Sequence, residues 1–251
     1  MSPSNTTILL VPGAWHTADC YTALAKPLEF HGYKTDLINL PSCGHNKRLP
    51  NFNEDVAAIR DRITKAANAG QDVVLVGHSY GSIPSNEACK GLLKKDLAAQ
   101  GKKGGVVHFF FLVSFVIPEG ASLIGAFGGN PLPWFVISED ELEVNPATPE
   151  TIFYNDLEKS EQDHWIGRLK PHSYQVMHTP VTYAAWKDLP CTYLYCMDDQ
   201  AIPLEIQKMM VEGTAQGCGF RTETVEAGHS PFLSKTKETA EAIVRAAEVG
   251  A

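Results

Sequence analysis

Asp72-Val73-Val74-Leu75-Val76-Gly77-His78-Ser79-Tyr80-Gly81 decides the reading of this chain. A four-residue apolar run, Val73–Val76, ends in Gly-x-Ser-x-Gly, and the residues after it read as a helix. A strand, a tight turn and a helix in that order put a serine on a strained backbone at the apex. Glycine two before and two after the serine lets strand and helix approach closely. The strain points the Ser79 hydroxyl into the site. It also leaves the Tyr80 N–H at a helix start, where negative charge is favoured. Five residues of this kind also arise by chance, so the partners of Ser79 have to decide.

Outward from the turn, strand-like and helix-like segments alternate. Thr7–Val11 and Lys34–Leu40 read as strands, with a helix over Asp19–His31 between them. Glu54–Asn68 is a helix, since Val56, Ile59, Ile63 and Ala67 recur three or four apart. After Asp72–Val76 and the turn, the helical pattern continues to about Ala98. Val106–Val116 and Cys191–Met197 are apolar strands, and Pro203–Thr214 is a helix. Arg221–Val225 is the last strand and Pro231–Val249 holds the last helix. Such alternation predicts an α/β fold: a mostly parallel sheet with helices on both faces.

Between about Pro118 and Lys187 the alternation stops. Gly-Gly-Asn-Pro (128–131) and many aromatics stand there, among them Trp134, Phe135, Phe153, Tyr154, Trp165, Tyr174 and Trp186. About 70 residues are too many for a structureless loop. The stretch is expected to form a helical cap over the carboxyl ends of the strands. The chain then divides into a core of 1–117 and 188–251 with a cap insertion at 118–187. Most of these aromatics are expected to pack among themselves. Trp134, Phe135 and Tyr174, with Trp15 from the first loop, are the candidates to line a substrate pocket.

A serine hydroxyl needs a base that is itself oriented. His229, in Ala227-Gly228-His229-Ser230-Pro231, follows the last strand and is the candidate. Of the other eight histidines (16, 31, 45, 78, 108, 164, 172, 178) none ends a late strand. His78 points away from Ser79, and His108 sits inside an apolar strand as a core residue. The orienting acid should follow the preceding strand. Met197-Asp198-Asp199-Gln200-Ala201-Ile202-Pro203 offers two carboxylates. The acid in this arrangement stands three residues before an aliphatic-Pro pair, which selects Asp199 over Asp198. The resulting order, Ser then Asp then His, differs from that of both main serine protease groups. Two backbone N–H groups complete the set: Tyr80, and one from Val11-Pro12-Gly13-Ala14-Trp15-His16. Ala14 is the choice, because Gly13 permits the turn that aims it inward and Pro12 has no N–H; Trp15 and His16 compete.

Bulk properties limit the rest. A net charge of −8 without a long basic run argues against nucleic acid and anionic membranes as partners. No apolar stretch approaches the ~18 residues of a spanning helix. The N-terminus lacks the charged start of a signal peptide. Six scattered cysteines (20, 43, 89, 191, 196, 218) have no CxxC spacing. Both point to reduced thiols and a cytoplasmic protein. No histidine pattern has metal-ligand spacing, and no metal or cofactor is called for.

With these residues assembled, the chain resembles the α/β-hydrolases of the plant methylesterase and hydroxynitrile lyase group and their small fungal and bacterial relatives. The resemblance rests on residues 11–16, 77–81, 196–203 and 227–234, and is loose over the cap. It implies an α/β-hydrolase fold with a six-stranded core, and carboxylic ester hydrolysis with Ser79, Asp199 and His229 as triad. A homodimer is compatible with it. Two departures stand out. Pro12 replaces the histidine usual in the plant enzymes. Ser230 stands where the lyases carry lysine, and no threonine occupies the matching loop position, so cyanogenic lyase activity is not expected. The leading expectation is a serine hydrolase acting on an ester, lactone or thioester of a small apolar or aromatic molecule. A non-hydrolytic enzyme using Ser–His as acid and base (C–C lyase, dehydratase or cyclase) is the alternative, and a ligand-binding receptor the third.

Overall fold

A computed structural model describes residues 3–44 and 48–249; His45 lies outside the described residues. In chain order the elements are β1 (Thr6–Val11), α1 (Thr22–Phe30), β2 (Lys34–Leu37), α2 (Asn53–Asn68), β3 (Asp72–Ser79), α3 (Ser82–Ala88), α4 (Lys94–Ala98) and β4 (Gly105–Ser114). Within the 118–187 stretch follow α5 (Leu123–Ala126), β5 (Phe135–Ile137), β6 (Glu143–Pro146), α6 (Pro149–Ile152), α7 (Lys159–Ile166) and β7 (His172–Ser173). The chain closes with β8 (Cys191–Cys196), α8 (Leu204–Lys208), β9 (Arg221–Val225), α9 (Pro231–Ser234) and α10 (Thr236–Val249).

Six strands form one parallel sheet in the order β2-β1-β3-β4-β8-β9. Its central strands β1, β3 and β4 are buried along their whole length because both faces are covered, and their middle residues are mostly apolar. Side chains alternate across a strand, and the two cores follow that alternation. Leu9, Val11, Val73, Leu75, Phe109 and Phe111 pack on one face with Ile59 and Ile63 of α2 and Ile83 of α3. Ile8, Leu10, Val74, Val76, Phe110 and Leu112 pack on the other with Leu24 and Leu28 of α1 and Ile243 and Ala247 of α10. Each such fully buried side chain stabilises the fold by roughly 1.5–3 kcal/mol. From β1 the chain crosses to β2 on one side and to β3 on the other. That reversal opens a crevice at the carboxyl ends of the strands, the usual ligand site of open α/β sheets.

Three expectations change. The helix read to Ala98 is two, because the chain turns at Gly91, whose φ of +71° ends the first. The helix over Pro203–Thr214 is α only to Lys208; Met209–Thr214 winds as a π-helix. The 118–187 stretch is not wholly helical. It carries a three-stranded antiparallel sheet, β5-β6-β7. These strands have two to four residues each, too few for a period-2 pattern to register.

Candidate active site

The chain between β3 and α3 is the tight turn that the glycines anticipate. Ser79 has φ +50°, a region that side chains rarely adopt. A Cβ on Gly81 would lie 2.3 Å from the Pro12 carbonyl oxygen, and one on Gly77 would lie 2.8 Å from Ser82 Cα. Hydrogen bonds hold the turn in place. The Ser82 hydroxyl donates to the Ser79 carbonyl at 3.0 Å, and the Ser114 hydroxyl lies 2.9 Å from the same oxygen. Ser114 is fixed in turn by Tyr193, whose hydroxyl donates to its carbonyl at 2.8 Å. The β3–β4 register slips between His78 and Ser79, skipping Val113, which has φ +40°. A β-branched residue at positive φ is strained, and this strain sits one strand away from Ser79.

The carboxyl ends of β8 and β9 bring an acid and a histidine together. His229 Nδ1–H donates to Asp199 Oδ2 at 2.8 Å, with both side chains buried. Asp199 Oδ1 accepts from the Ala201 and Ile202 N–H groups at 2.7 and 3.1 Å. Both carboxylate oxygens are thus used, and the bond to Nδ1 leaves the lone pair of His229 on Nε2. Asp198 is exposed; its carbonyl accepts from Gln200 and Asn155.

His78 joins the end of β3 to the His229 loop. Its Nε2–H donates to the His229 carbonyl at 2.8 Å, and the two rings are 4.7 Å apart. Burial, with His229 and His16 nearby, holds it well below the ordinary histidine range, so it is neutral. Gly13 leaves room for it: a Cβ there would stand 2.8 Å from His78 Nδ1 and 2.9 Å from Ser79 Cβ. The loop after β1 therefore lies directly against Ser79. His16 fixes that loop, donating from Nδ1 to the Ala14 carbonyl at 2.9 Å and accepting the Tyr154 hydroxyl on Nε2 at 2.8 Å. Burial pushes His16 down to about 4, which keeps Nε2 free to accept.

Ser79, Tyr80, Ala14 and Trp15 line one small chamber with Trp134, Phe135, Leu123 and Met177. Tyr174 is not among its lining residues; its ring packs edge-on to His178 at 4.8 Å. Trp15 anchors the 118–187 stretch to the core. Its Nε1–H donates to the Val144 carbonyl at 2.8 Å, and Trp134, Phe135 and Phe153 surround its ring within 5.6 Å. Phe153 in turn lies 5.6 Å from the His229 ring. The Tyr80 side chain turns away into the core, donating to Asp55 Oδ2 at 2.9 Å.

Sequence reasoning missed Asn155 and Asp156. Asp156 Oδ2 accepts the Gly228 N–H at 2.8 Å, and the Asn155 amide donates to the Asp198 carbonyl at 3.0 Å. Consecutive residues thus clamp the two loops that carry His229 and Asp199. The contacts span 72 and 43 residues, and no local pattern signals them. The sequence reads His78 only as pointing away from Ser79 and His16 only as a competing N–H donor; their hold on the His229 loop and on the loop after β1 comes from the tertiary contacts.

The chain belongs to the alpha/beta hydrolase family, whose model matches residues 8–242. It is 36% identical over 231 residues to the alpha/beta hydrolase nvfD of Aspergillus novofumigatus, with 90% of each chain covered. It is 22% identical over 260 residues to methylesterase 9 of Arabidopsis thaliana, covering 96% of this chain and 97% of the relative. In three dimensions it is similar to the crystal structure of polyneuridine aldehyde esterase, with a TM-score of 0.77 at 18% identity over 96% of this chain and 98% of that one.

Proposed function

We propose that this α/β hydrolase cleaves an ester, lactone or thioester of a small apolar or aromatic metabolite through an acyl-enzyme on Ser79. The observation that carries the reading is the buried His229–Asp199 bond, joined through His78 to the strained turn that bears Ser79. The esterase names among the similar proteins support the reaction class.

In this reading Ser79 Oγ attacks the substrate carbonyl as His229 Nε2 takes its proton. Asp199 holds the imidazole through Nδ1–H and stabilises the imidazolium without itself taking the proton. The Ala14 and Tyr80 N–H groups receive the developing oxyanion; each such donor is worth roughly 3 kcal/mol at the transition state. His229 then protonates the departing alcohol or thiol, the acyl group remains on Ser79, and a water activated by the same histidine releases it. The 118–187 stretch serves as a cap that walls the chamber and excludes bulk water.

A fluorophosphonate probe tests this. One equivalent is expected on the peptide containing Ser79, and none on the Ser79→Ala variant. A protein that turns over its substrate yet takes no label on Ser79 would sink the acyl-enzyme, and turnover retained by Ser79→Ala would point to acid–base chemistry without it.

The clamp gives a second expectation. Asp156→Ala leaves the Gly228 N–H without its carboxylate, a bond of about 1.5–3 kcal/mol. Ester hydrolysis should lose about tenfold in kcat with KM changed less than about twofold, since the His229 loop and not the chamber is loosened. Asp156→Asn keeps an acceptor oxygen and should restore most of kcat; equal losses in KM and kcat, or no rescue, would count against a positioning role.

A further inference from the structure

Beside the Ser79 chamber lies a second and much larger cavity of about 540 Å³. It runs between the segment after β4, the 118–132 part of the excursion, and α8 with its π-helical continuation. The two spaces share Phe115, Leu132, Ala201 and Ile202 as walls. The chamber itself has only about 20 Å³, room for one or two water-sized groups. The large cavity falls within the roughly 300–1,000 Å³ of sites that hold drug-sized ligands.

The lining chemistry is one-sided. Among the described residues around the large cavity, Thr214 is the single polar side chain and none is titratable. Ile206 and Met209 stand at it 39% and 58% exposed, two of the few large apolar side chains left to water. Both belong to the helix that turns from α to π at Met209, and π segments are frequent at functional sites. An uncharged apolar body would cover them; a carboxylate or phosphate would find no partner and would be left desolvated.

We infer that the substrate is a neutral, asymmetric ester whose large apolar portion occupies this cavity while the group on the other side of the carbonyl is no bigger than a few heavy atoms. The inference deepens the proposed ester hydrolysis and rests on Ser79 as its nucleophile. The shared wall of Phe115, Leu132, Ala201 and Ile202 is where the substrate would pass from one space to the other.

Two ester series on the wild-type protein test it: methyl esters lengthened from acetate to hexanoate, and acetates lengthened from methyl to hexyl. In one series kcat/KM should rise by about fourfold per methylene, from the free energy of burying it, and by at least about 100-fold over the four or five methylenes added. Hexyl hexanoate, long on both sides, should fall below the better of the two single-long esters. Met209→Asp, a change at an exposed position, should cut the long-to-short ratio of kcat/KM at least fivefold. Flat series on an enzyme that hydrolyses methyl acetate, a double-long ester that is the best substrate, or a ratio untouched by Met209→Asp would overturn the cavity's role while leaving Ser79 hydrolysis standing. Absence of fluorophosphonate labelling and of hydrolysis of every ester would instead remove the reading beneath it.

Discussion

Ser79→Ala is expected to lower kcat for a small ester by about 10⁴–10⁶-fold, His229→Ala by a similar factor, and the double variant by no more than the worse single one. The non-additivity is the informative part. A nucleophile and its base act as one unit, so removing either forfeits the covalent route, and the second removal has nothing left to take. What survives is stabilisation by the two N–H groups and by binding, typically 10³–10⁴-fold over water in such sites. Asp199→Asn should cost about 10⁴-fold, because Nδ1 would lose the carboxylate that fixes its tautomer. Steady-state kinetics on the three single variants and the double one checks this. Losses that multiply would mean that Ser79 and His229 act independently, and the triad assignment would fail.

Acidification is the second large effect. Four buried histidines resist protonation in the native state. Burial pushes His16 and His108 down to about 4 and His172 to about 3, and holds His78 well below the ordinary value. In the unfolded chain each titrates near 6.5. Groups with depressed native values contribute stability that is present above 6.5 and lost as pH falls toward the native value. Asp55 opposes them. Burial, with some relief from bonds to Ser42 and Tyr80, raises it to about 6, so its contribution is present at low pH and lost as pH rises from about 4 through 6.

Four protons against one leaves a net loss on acidification. At about 1.4 kcal/mol per pH unit and proton, His16, His108 and His172 set against Asp55 remove about 4 kcal/mol between pH 7.5 and 5, and His78 acts in the same direction as the three. A domain of ordinary stability has only about 5–15 kcal/mol to lose. Urea unfolding at pH 7.5, 6 and 5 should therefore give a steep decline. His172, with neither ring nitrogen hydrogen-bonded among the described residues, isolates one contribution. His172→Phe should flatten the decline by about 2 kcal/mol. Stability that is constant or rising toward pH 5 would contradict the neutral buried histidines.

The parallel sheet and the positions of Ser79, Asp199 and His229 were legible for a common reason: each is decided by its neighbours along the chain. A strand buried on both faces is mostly apolar, so Val73–Val76 and Phe109–Leu112 announce themselves. A turn as tight as the one at Ser79 needs glycine at 77 and 81, because the Pro12 carbonyl and Ser82 leave no space for a Cβ. Asp199 could be separated from Asp198 by its distance to Ile202-Pro203, and the same segment supplies the two N–H groups that its Oδ1 accepts.

What escaped depends on contacts between segments far apart in sequence. The β5-β6-β7 sheet is too short for its period to register. Tyr174 looks as suitable for the chamber as Trp134, yet it packs into the buried cluster and against His178 and does not line the chamber. Asn155 and Asp156 matter through bonds to loops 43 and 72 residues away. The sequence by itself determined the sheet, the strained serine and the loops after β8 and β9 that carry Asp199 and His229, since backbone sterics and burial act locally. The tertiary structure alone decided what fits beside the serine, because the small chamber and the large apolar cavity exist only where the segment after β4, the 118–187 excursion and the π-helical turn come together.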